Sequence, residues 1–238
     1  MTTPVLHLAG VSKNYGGLRP LRIHELTVAA AERVAILGLD QPMAEVFVNL
    51  VTGTGLPEQG TVQVLGQPTA AIVDSTAWLA LVDRFGIVSE RAVLLEGMSL
   101  LQNLALPFTL DIEPPSEETR ARAGRLATEV GLAGADWDRP VASLDAVARA
   151  CARLARALAL DPALLLLEHP TAGVERQDVI GLGERFRSVA ERRGIAAIAL
   201  TADEPFGRAL GGRVVTLNGA TGRLTEAGSR RWFGRLLG

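Results

Sequence analysis

The sequence predicts an α/β fold, with a mostly parallel sheet core, an antiparallel β edge and a helical insert. Short apolar runs alternate with helical patterns along most of the chain, which is typical of parallel strands joined by helices. Four consecutive leucines at residues 164–167 indicate a strand that is buried on both faces. A leucine-rich stretch from residue 91 to about 135 separates two strands. We expect it to be mostly helical and to form a second lobe.

The first half of the chain is predicted to begin with three strands. The third strand leads through a turn into a helix, because Met43, Phe47 and Leu50 recur at i, i+4 and i+7 and so share one helical face. Gly53 is expected to end this helix. In order, the predicted elements are strands at 5–8, 21–28 and 31–37, the helix from 43, a strand at 60–65, a helix near 75–81 and a strand at 85–88.

The second half begins with the helical insert, which an acidic Pro-Pro linker interrupts at 111–115. A long Ala/Arg/Leu helix follows at 145–160, and Asp161 and Pro162 stop it. After the leucine strand we expect a helix at 176–193, a strand at 195–200, a short helix, and a strand pair at 213–217 and 222–224. The basic and apolar tail at 229–237 has two readings: docking against its own domain, or contact with a membrane surface or a partner.

Composition narrows the class of protein. The 238 residues carry a formal charge of −2, so no global electrostatic case exists for a nucleic-acid partner. The single cysteine, Cys151, cannot form an internal disulfide. Without a signal-peptide pattern or a run of about 18 apolar residues, we expect a cytoplasmic protein. Lys13 is the only lysine among 24 basic residues, so any other role that needs a lysine is vacant.

Six segments occur together in an order that resembles the nucleotide-binding subunit of ATP-binding cassette (ABC) transporters. The resemblance covers nearly the whole chain. The segments are an aromatic loop at 11–16, the strand into the phosphate loop at 34–38, the stretch after the phosphate-loop helix at 53–66, the Q-loop and following helix at 86–103, the end of the signature helix at 155–162, and the Walker B strand with its continuation at 164–172.

This resemblance implies a P-loop NTPase-like ABC cassette that forms one domain over residues 1–238. Its core lobe is expected to comprise residues 1–88 and 141–238, and its helical subdomain residues 89–140. Such cassettes bind and hydrolyse ATP. The positions that perform this chemistry in the family can therefore be read one by one in this sequence.

The phosphate loop departs most from the family pattern. That loop needs glycine amides to cradle phosphates, a lysine for the terminal phosphates and a hydroxyl for Mg²⁺. In register, only the first glycine remains, as Gly38. Ala44 stands at the lysine position and Glu45 at the Ser/Thr position. Pro42 removes an amide, and Asp40 adds negative charge beside a triphosphate.

The residues that handle metal and water in the family are also changed. Glu168 replaces the Walker B aspartate and keeps its charge, whereas His169 stands at the position of the catalytic glutamate. Histidine can act as a general base, so a divergent catalytic site is one reading. A buried, hydrogen-bonded structural histidine is the other.

Four further positions lack the family residue. The signature motif reads LDAVA at 144–148, with Asp145 in place of serine. Glu90 replaces the Q-loop glutamine, Ala202 replaces the switch histidine, and Glu175 replaces the aspartate of the D-loop.

Together these substitutions predict a degenerate, catalytically inactive cassette, or pseudo-ATPase, with no catalytic residues and no metal ligands. Losing the lysine and two or three loop donors costs on the order of 4–7 kcal/mol of binding, about 10³–10⁵ in Kd. We therefore expect no cofactor. The alternative is weak binding of ATP and Mg²⁺, with Tyr15 at the adenine-stacking position and Gly38 at the phosphates; Tyr15 could equally be a packing residue.

The resemblance also implies partners. The apolar stretch at 93–108 borders, in the family, the groove that receives the coupling helix of the membrane subunit. We expect transmembrane transporter subunits and an active ABC ATPase paralogue as partners, in a heteromer on the inner face of the cell membrane. Two alternatives stay open: a divergent ABC ATPase that uses Glu168 as metal ligand and His169 as base, and a free-standing interaction protein.

Overall fold

Two sheets organise residues 3–227, the part of the chain that the computed structural model describes. The predicted tail segment at 229–237 lies outside these residues. The strands are β1 (Leu6–Lys13), β2 (Leu21–Val28), β3 (Arg33–Leu37), β4 (Gln59–Val64), β5 (Gln67–Pro68), β6 (Phe85–Val88), β7 (Leu164–Glu168), β8 (Ala196–Thr201), β9 (Arg213–Asn218) and β10 (Arg223–Glu226).

Seven α-helices connect these strands within the described residues. They are α1 (Gln41–Val51), α2 (Ser75–Val82), α3 (Leu100–Ala105), α4 (Glu117–Glu129), α5 (Ala146–Ala157), α6 (Val179–Arg193) and α7 (Glu204–Leu210). None of the helices described between residues 3 and 227 is long and apolar enough to cross a membrane.

The larger sheet has the strand order β10-β9-β3-β8-β7-β6. Its five strands from β9 to β6 are parallel neighbours, and β10 pairs with β9 in the antiparallel sense. The smaller sheet, β2-β1-β4-β5, is antiparallel throughout. This arrangement confirms the predicted α/β fold with a mostly parallel core and an antiparallel β edge.

The leucine strand lies inside the larger sheet, between β6 and β8. Leu164 and Leu166 belong to the apolar cluster that includes Phe47 of α1. Leu165 and Leu167 belong to the cluster on the other face, formed with helices α3 to α7. The prediction of a strand buried on both faces is confirmed, because alternate leucines serve two different cores.

The segment from 91 to 99 corrects the prediction of a mostly helical stretch. It is an irregular loop, and the buried side-chain amide of Asn103 bonds its backbone at Leu95 and Ser99. The Asn103 oxygen accepts from Leu95 N at 2.7 Å, and its nitrogen donates to Leu95 O and Ser99 O, each at 3.0 Å. Leucine-rich sequence favours helix, but this tertiary contact gives the loop hydrogen bonds that a helix would otherwise supply.

Several predicted boundaries were also wrong by a few residues. The first strand continues to Lys13, and the helix expected at 145–160 ends at Ala157. At this end the helix meets β6 closely, since a Cβ on Gly86 would lie 2.7 Å from Ala157 O. The predicted limits of the helical subdomain, residues 89 and 140, stay a prediction. Side chains of α3 and α4 share one core cluster with β7.

Arg193 ties α4 and the turn before β7 to the end of α6. Its guanidinium contacts both carboxylate oxygens of Glu129 at 2.7 Å, Asp161 Oδ1 at 2.8 Å and Leu158 O at 3.1 Å. The hydrogen bond to Glu129 is the main cause of a raised pKa for Arg193, although burial opposes it. This ion pair therefore joins the helical insert to the sheet layer.

Replacing Arg193 with Met is expected to lower the free energy of unfolding by about 1.5–3 kcal/mol, because Glu129 loses a charge-assisted partner while still half-buried. Urea denaturation would measure the change. Arg120→Met is the matched control, since Arg120 pairs with the exposed Asp138 and should cost about 0–1 kcal/mol. Equal losses in the two variants would contradict a special role for Arg193.

Candidate functional site

The candidate site lies where the parallel strands end. Gly38 follows β3, Glu168 is the last residue of β7, and Thr201 is the last residue of β8. Gly38 has φ of +92°, and a Cβ there would lie 3.1 Å from Leu217 O, so this turn requires glycine. In open α/β sheets, this edge is where ligands bind.

The N-terminus of α1 is occupied by a side chain of the protein itself. Asp40 is the N-cap, and its Oδ1 accepts from Met43 N at 2.9 Å. Pro42 in the first turn has no amide to offer. Ala44 is fully buried in the apolar cluster beneath the helix. The positive end of the helix dipole, which could attract a phosphate, therefore already holds a carboxylate.

Glu168 is 1% exposed, and both of its oxygens are engaged. Arg91 donates through Nη2 to Oε2 at 2.5 Å and through Nε to Oε1 at 3.1 Å, and Gln41 Nε2 donates to Oε1 at 2.5 Å. Glu45 is the fourth member, with Oε1 lying 3.2 Å from Gln41 Nε2 and 3.8 Å from Arg91 Nε. We call Gln41, Glu45, Arg91 and Glu168 the Arg91 network.

Arg91 stays protonated in this position. Its pKa is raised, chiefly by the hydrogen bond to Glu168, while partial burial acts in the opposite direction. Sequence reasoning missed Arg91 and Gln41. The only available signal was that a buried acidic residue in a chain with one lysine needs an arginine as its partner, and sequence alone did not identify which arginine.

His169 follows Glu168 in an uncommon backbone conformation, with φ of +43°. Its Nε2 is buried and has no hydrogen-bond partner among the described residues, which differs from the predicted hydrogen-bonded structural histidine. His169, Glu168 and Glu90 line a shared cavity of about 10 Å³. Such a volume holds one water molecule at most, and it excludes a phosphate group.

A neighbouring cleft of about 340 Å³ lies between the loop after β6 and the first half of α5. Glu90, Glu96, Arg149 and Arg153 contribute its charges, and Val93 adds an apolar wall. Burial is the main cause of a lowered pKa for Arg153.

The other predicted positions do not join the Arg91 network. Asp145 caps α5, with Oδ1 accepting from Ala148 N at 2.7 Å. Ala202 is exposed in the turn after β8, and Glu175 accepts from Gln177 Nε2 at 2.9 Å on the surface.

Tyr15 is half-buried and packs against the apolar cluster that includes Phe47. Burial is the first cause of the raised pKa of Tyr15, and the charge of Asp40 is the second. The ring also lies against its own loop, since a Cβ on Gly17 would be 2.7 Å from it. Packing explains this tyrosine, and adenine stacking stays a prediction.

The residues present do not fit a magnesium–nucleotide complex. Magnesium prefers an octahedron of oxygen ligands, but the position of the Ser/Thr hydroxyl holds Glu45, and the oxygens of Glu168 are taken by Arg91 and Gln41. Between residues 3 and 227 there is no group of three or more His, Cys, Asp or Glu side chains placed to hold a metal ion.

A glycine turn after β3, a helix that starts there and an acidic residue at the end of β7, which β8 separates from β3, are the layout of a P-loop-type α/β cassette. No family model matches the sequence. Solved structures show the same fold: the ATP-binding cassette MJ0796 bound to ADP and Pi (TM-score 0.73, 21% identity, 93% of this chain and 98% of that one), and cbiO1 from Clostridium perfringens (TM-score 0.76, 21% identity, 93% and 87%).

Curated relatives give the family. The lipoprotein-releasing system ATP-binding protein LolD of Chromohalobacter salexigens is 30% identical over 202 residues, 85% of this chain and 83% of the relative. The nickel import ATP-binding protein NikO of Rhodobacter capsulatus is 33% identical over 178 residues, 74% and 69%. The sulfate/thiosulfate import ATP-binding protein CysA of Methylococcus capsulatus is 27% identical over 231 residues, 94% of this chain but 63% of the longer relative. The chain belongs to the family of ABC transporter ATP-binding proteins.

The capping role of Asp40 can be tested by two substitutions. Asp40→Ala is expected to lower the free energy of unfolding by about 0.5–2 kcal/mol, because the Met43 amide loses its acceptor, whereas Asp40→Ser keeps a capping oxygen and should stay within about 0.5 kcal/mol of the parent chain. Thermal or urea unfolding would measure both. A serine variant as unstable as the alanine variant would show that Asp40 does not act as a cap.

Proposed function

We propose that the chain is a catalytically inactive, nucleotide-binding-domain-like subunit of a membrane transporter complex. It docks on transmembrane subunits at the inner face of the membrane and pairs with an active ATPase paralogue, in a structural or regulatory role. Family membership supports the transporter context: the relatives are named for import or release systems, and cbiO1 is described as part of the complex cbiONQ.

The observation that carries the inactivity is the capping of α1 by Asp40. A free helix N-terminus binds anions through its unpaired amides and its dipole. Here the carboxylate of Asp40 accepts from Met43 N, so a phosphate would have to displace one negative charge in order to bind. No ammonium group compensates, because Ala44 is apolar and Lys13, the only lysine, lies in β1 near Glu58 at 4.0 Å.

The contacts of Glu168, which stands at the metal-binding position of the family, also support an inactive site. Glu168 would have to release Arg91 and Gln41 before its oxygens could reach a hydrated cation. A metal ion would replace the charge of Arg91, but the hydrogen bonds lost from Glu168, about 1.5–3 kcal/mol each, offset part of that gain and add to the lost phosphate contacts. These considerations support an inactive site over a merely weakened one.

One observation favours a divergent ATPase as the second candidate. His169 Nε2 is unpaired among the described residues and lines a cavity the size of one water molecule beside Glu168. A histidine in that position has the geometry to polarise a water. No phosphate has room in the same cavity, so we rank this candidate below the first.

The surface near the candidate site supports docking on a membrane subunit. Val93 is 66% exposed and Leu95 is 39% exposed on the loop after β6. Both lie within the apolar stretch that the family resemblance assigns to the edge of the coupling groove. The adjoining cleft adds charged side chains of both signs, which suits a partner segment of mixed polarity.

Binding of Mg-ATP to the purified chain is the direct test of inactivity. We expect a Kd of about 10 mM or weaker, because the lysine and the loop donors are absent. Isothermal titration would measure it, with an active family member as positive control. A micromolar Kd, or an ATPase rate that disappears in His169→Ala, would overturn the inactive assignment and promote the divergent ATPase.

Purification of the native complex tests the transporter role. We expect transmembrane subunits and a second, active cassette to co-purify with the chain. Replacing the exposed Val93 with Asp should weaken that association, because it puts a charge into an apolar contact. Val73→Asp is the control, at a valine outside the loop at residues 89–99 that is more exposed, 90% against 66%. A chain that purifies with neither class of partner would contradict the proposal.

A further inference from the structure

We propose that Arg91 is a built-in cation: its guanidinium pairs with Glu168, the residue at the position of the family's metal-binding Walker B aspartate, and it holds the loop at residues 89–99 closed on β7 and α1 without nucleotide. We call this segment the 89–99 loop. The inference rests on the proposed function in one respect, that no bound nucleotide competes for the same carboxylates.

The first step is the charge of Glu168. Its side chain is fully buried, whereas that of Arg91 is 43% exposed. A buried carboxylate needs a close, hydrogen-bonded cation, and a guanidinium satisfies both oxygens at once because its donors form a rigid fork. Glu45 also approaches the guanidinium, with 3.8 Å between its Oε1 and Arg91 Nε. One arginine thus faces two carboxylates that come from two different elements.

The second step is where Arg91 comes from. It lies in neither a helix nor a strand, so its position depends on its contacts. Its own amide donates to Ser89 Oγ at 3.1 Å, and its side chain reaches 77 residues along the chain to Glu168. The ion pair between Arg91 and Glu168 therefore joins the start of the 89–99 loop to the end of β7.

The third step concerns the rest of the 89–99 loop. Arg156 of α5 donates to Ala92 O at 2.6 Å and to Val93 O at 2.7 Å, and Asn103 holds Leu95. Arg91 completes this set of contacts at the end nearest the candidate site. With it in place, the exposed side chains of Val93 and Leu95 are presented in one arrangement, whatever the nucleotide state of a partner cassette.

Hydrogen exchange tests the closure. In the full chain, Arg91→Met and Glu168→Gln should each raise amide exchange in the 89–99 loop by about tenfold or more, because local opening becomes easier. Glu168→Gln leaves no buried charge, so it separates loop release from general destabilisation. Arg120→Met is the control, since Arg120 has nearly the same exposure, 45%, but pairs elsewhere. Unchanged exchange in both network variants would overturn the proposal.

Manganese alone tests whether the guanidinium stands in a cation position. In Arg91→Ala, the carboxylates of Glu45 and Glu168 lose their shared cation, so millimolar Mn²⁺ should slow exchange in the 89–99 loop and raise Tm. The parent chain and Glu168→Gln should show neither effect. If Arg91 only held the loop in place, Mn²⁺ would have no effect on Arg91→Ala. An Arg91→Ala variant that does not respond to Mn²⁺ would therefore overturn the cation role.

The two proposals fail in different ways. Micromolar binding of Mg-ATP to the parent chain would refute the inactive assignment, whatever the 89–99 loop does. Unchanged loop exchange in the network variants would refute the role of Arg91 and leave the inactive assignment standing. Adding Mg-ATP to the parent chain should leave exchange in the 89–99 loop unchanged, whereas faster loop exchange with Mg-ATP would show that nucleotide competes with Arg91.

Discussion

A carboxylate at the buried end of the central strand constrains the rest of the site. β7 lies between two parallel neighbours, so its last residue, Glu168, is almost completely removed from water. The cost of burying an isolated charge is several kcal/mol, and the protein has no lysine within reach. Arg91 and Gln41 supply the missing donors. These contacts join the start of the 89–99 loop and the first turn of α1 to the end of β7.

The protein also supplies its own partners for the helix N-termini near the site. Asp40 caps α1 and Asp145 caps α5, so each helix end carries a carboxylate from the chain itself. A guanidinium stands beside the acidic residues of β7 and α1. The fold thus satisfies these charges internally, through two helix caps and one ion pair.

Local patterns predicted the fold well because the strands and helices carry their own periodicity. The leucine strand and the order of elements could be read from apolar spacing, whereas the substituted positions, taken from register with the family, stay predictions. The Arg91 network could not, since its members lie at residues 41, 45, 91 and 168 and meet only after the sheet has formed. The 89–99 loop was mispredicted for a related reason. Its leucines favour helix, but Asn103 and Arg156, which lie outside the loop, make hydrogen bonds with its backbone.

Because Asp40, Ala44, Arg91 and Glu168 depend on one another, a single substitution would not restore the family's residue pattern. A lysine placed at Ala44 would enter a fully buried apolar position, while Asp40 still occupied the helix end and Arg91 still held Glu168. Removing Arg91 alone would leave Glu168 buried without a cation. Each change is unfavourable unless the others accompany it, as expected for residues coupled through one network. Under the proposed function, these couplings make the site a stable alternative arrangement and not an active site that has lost one residue.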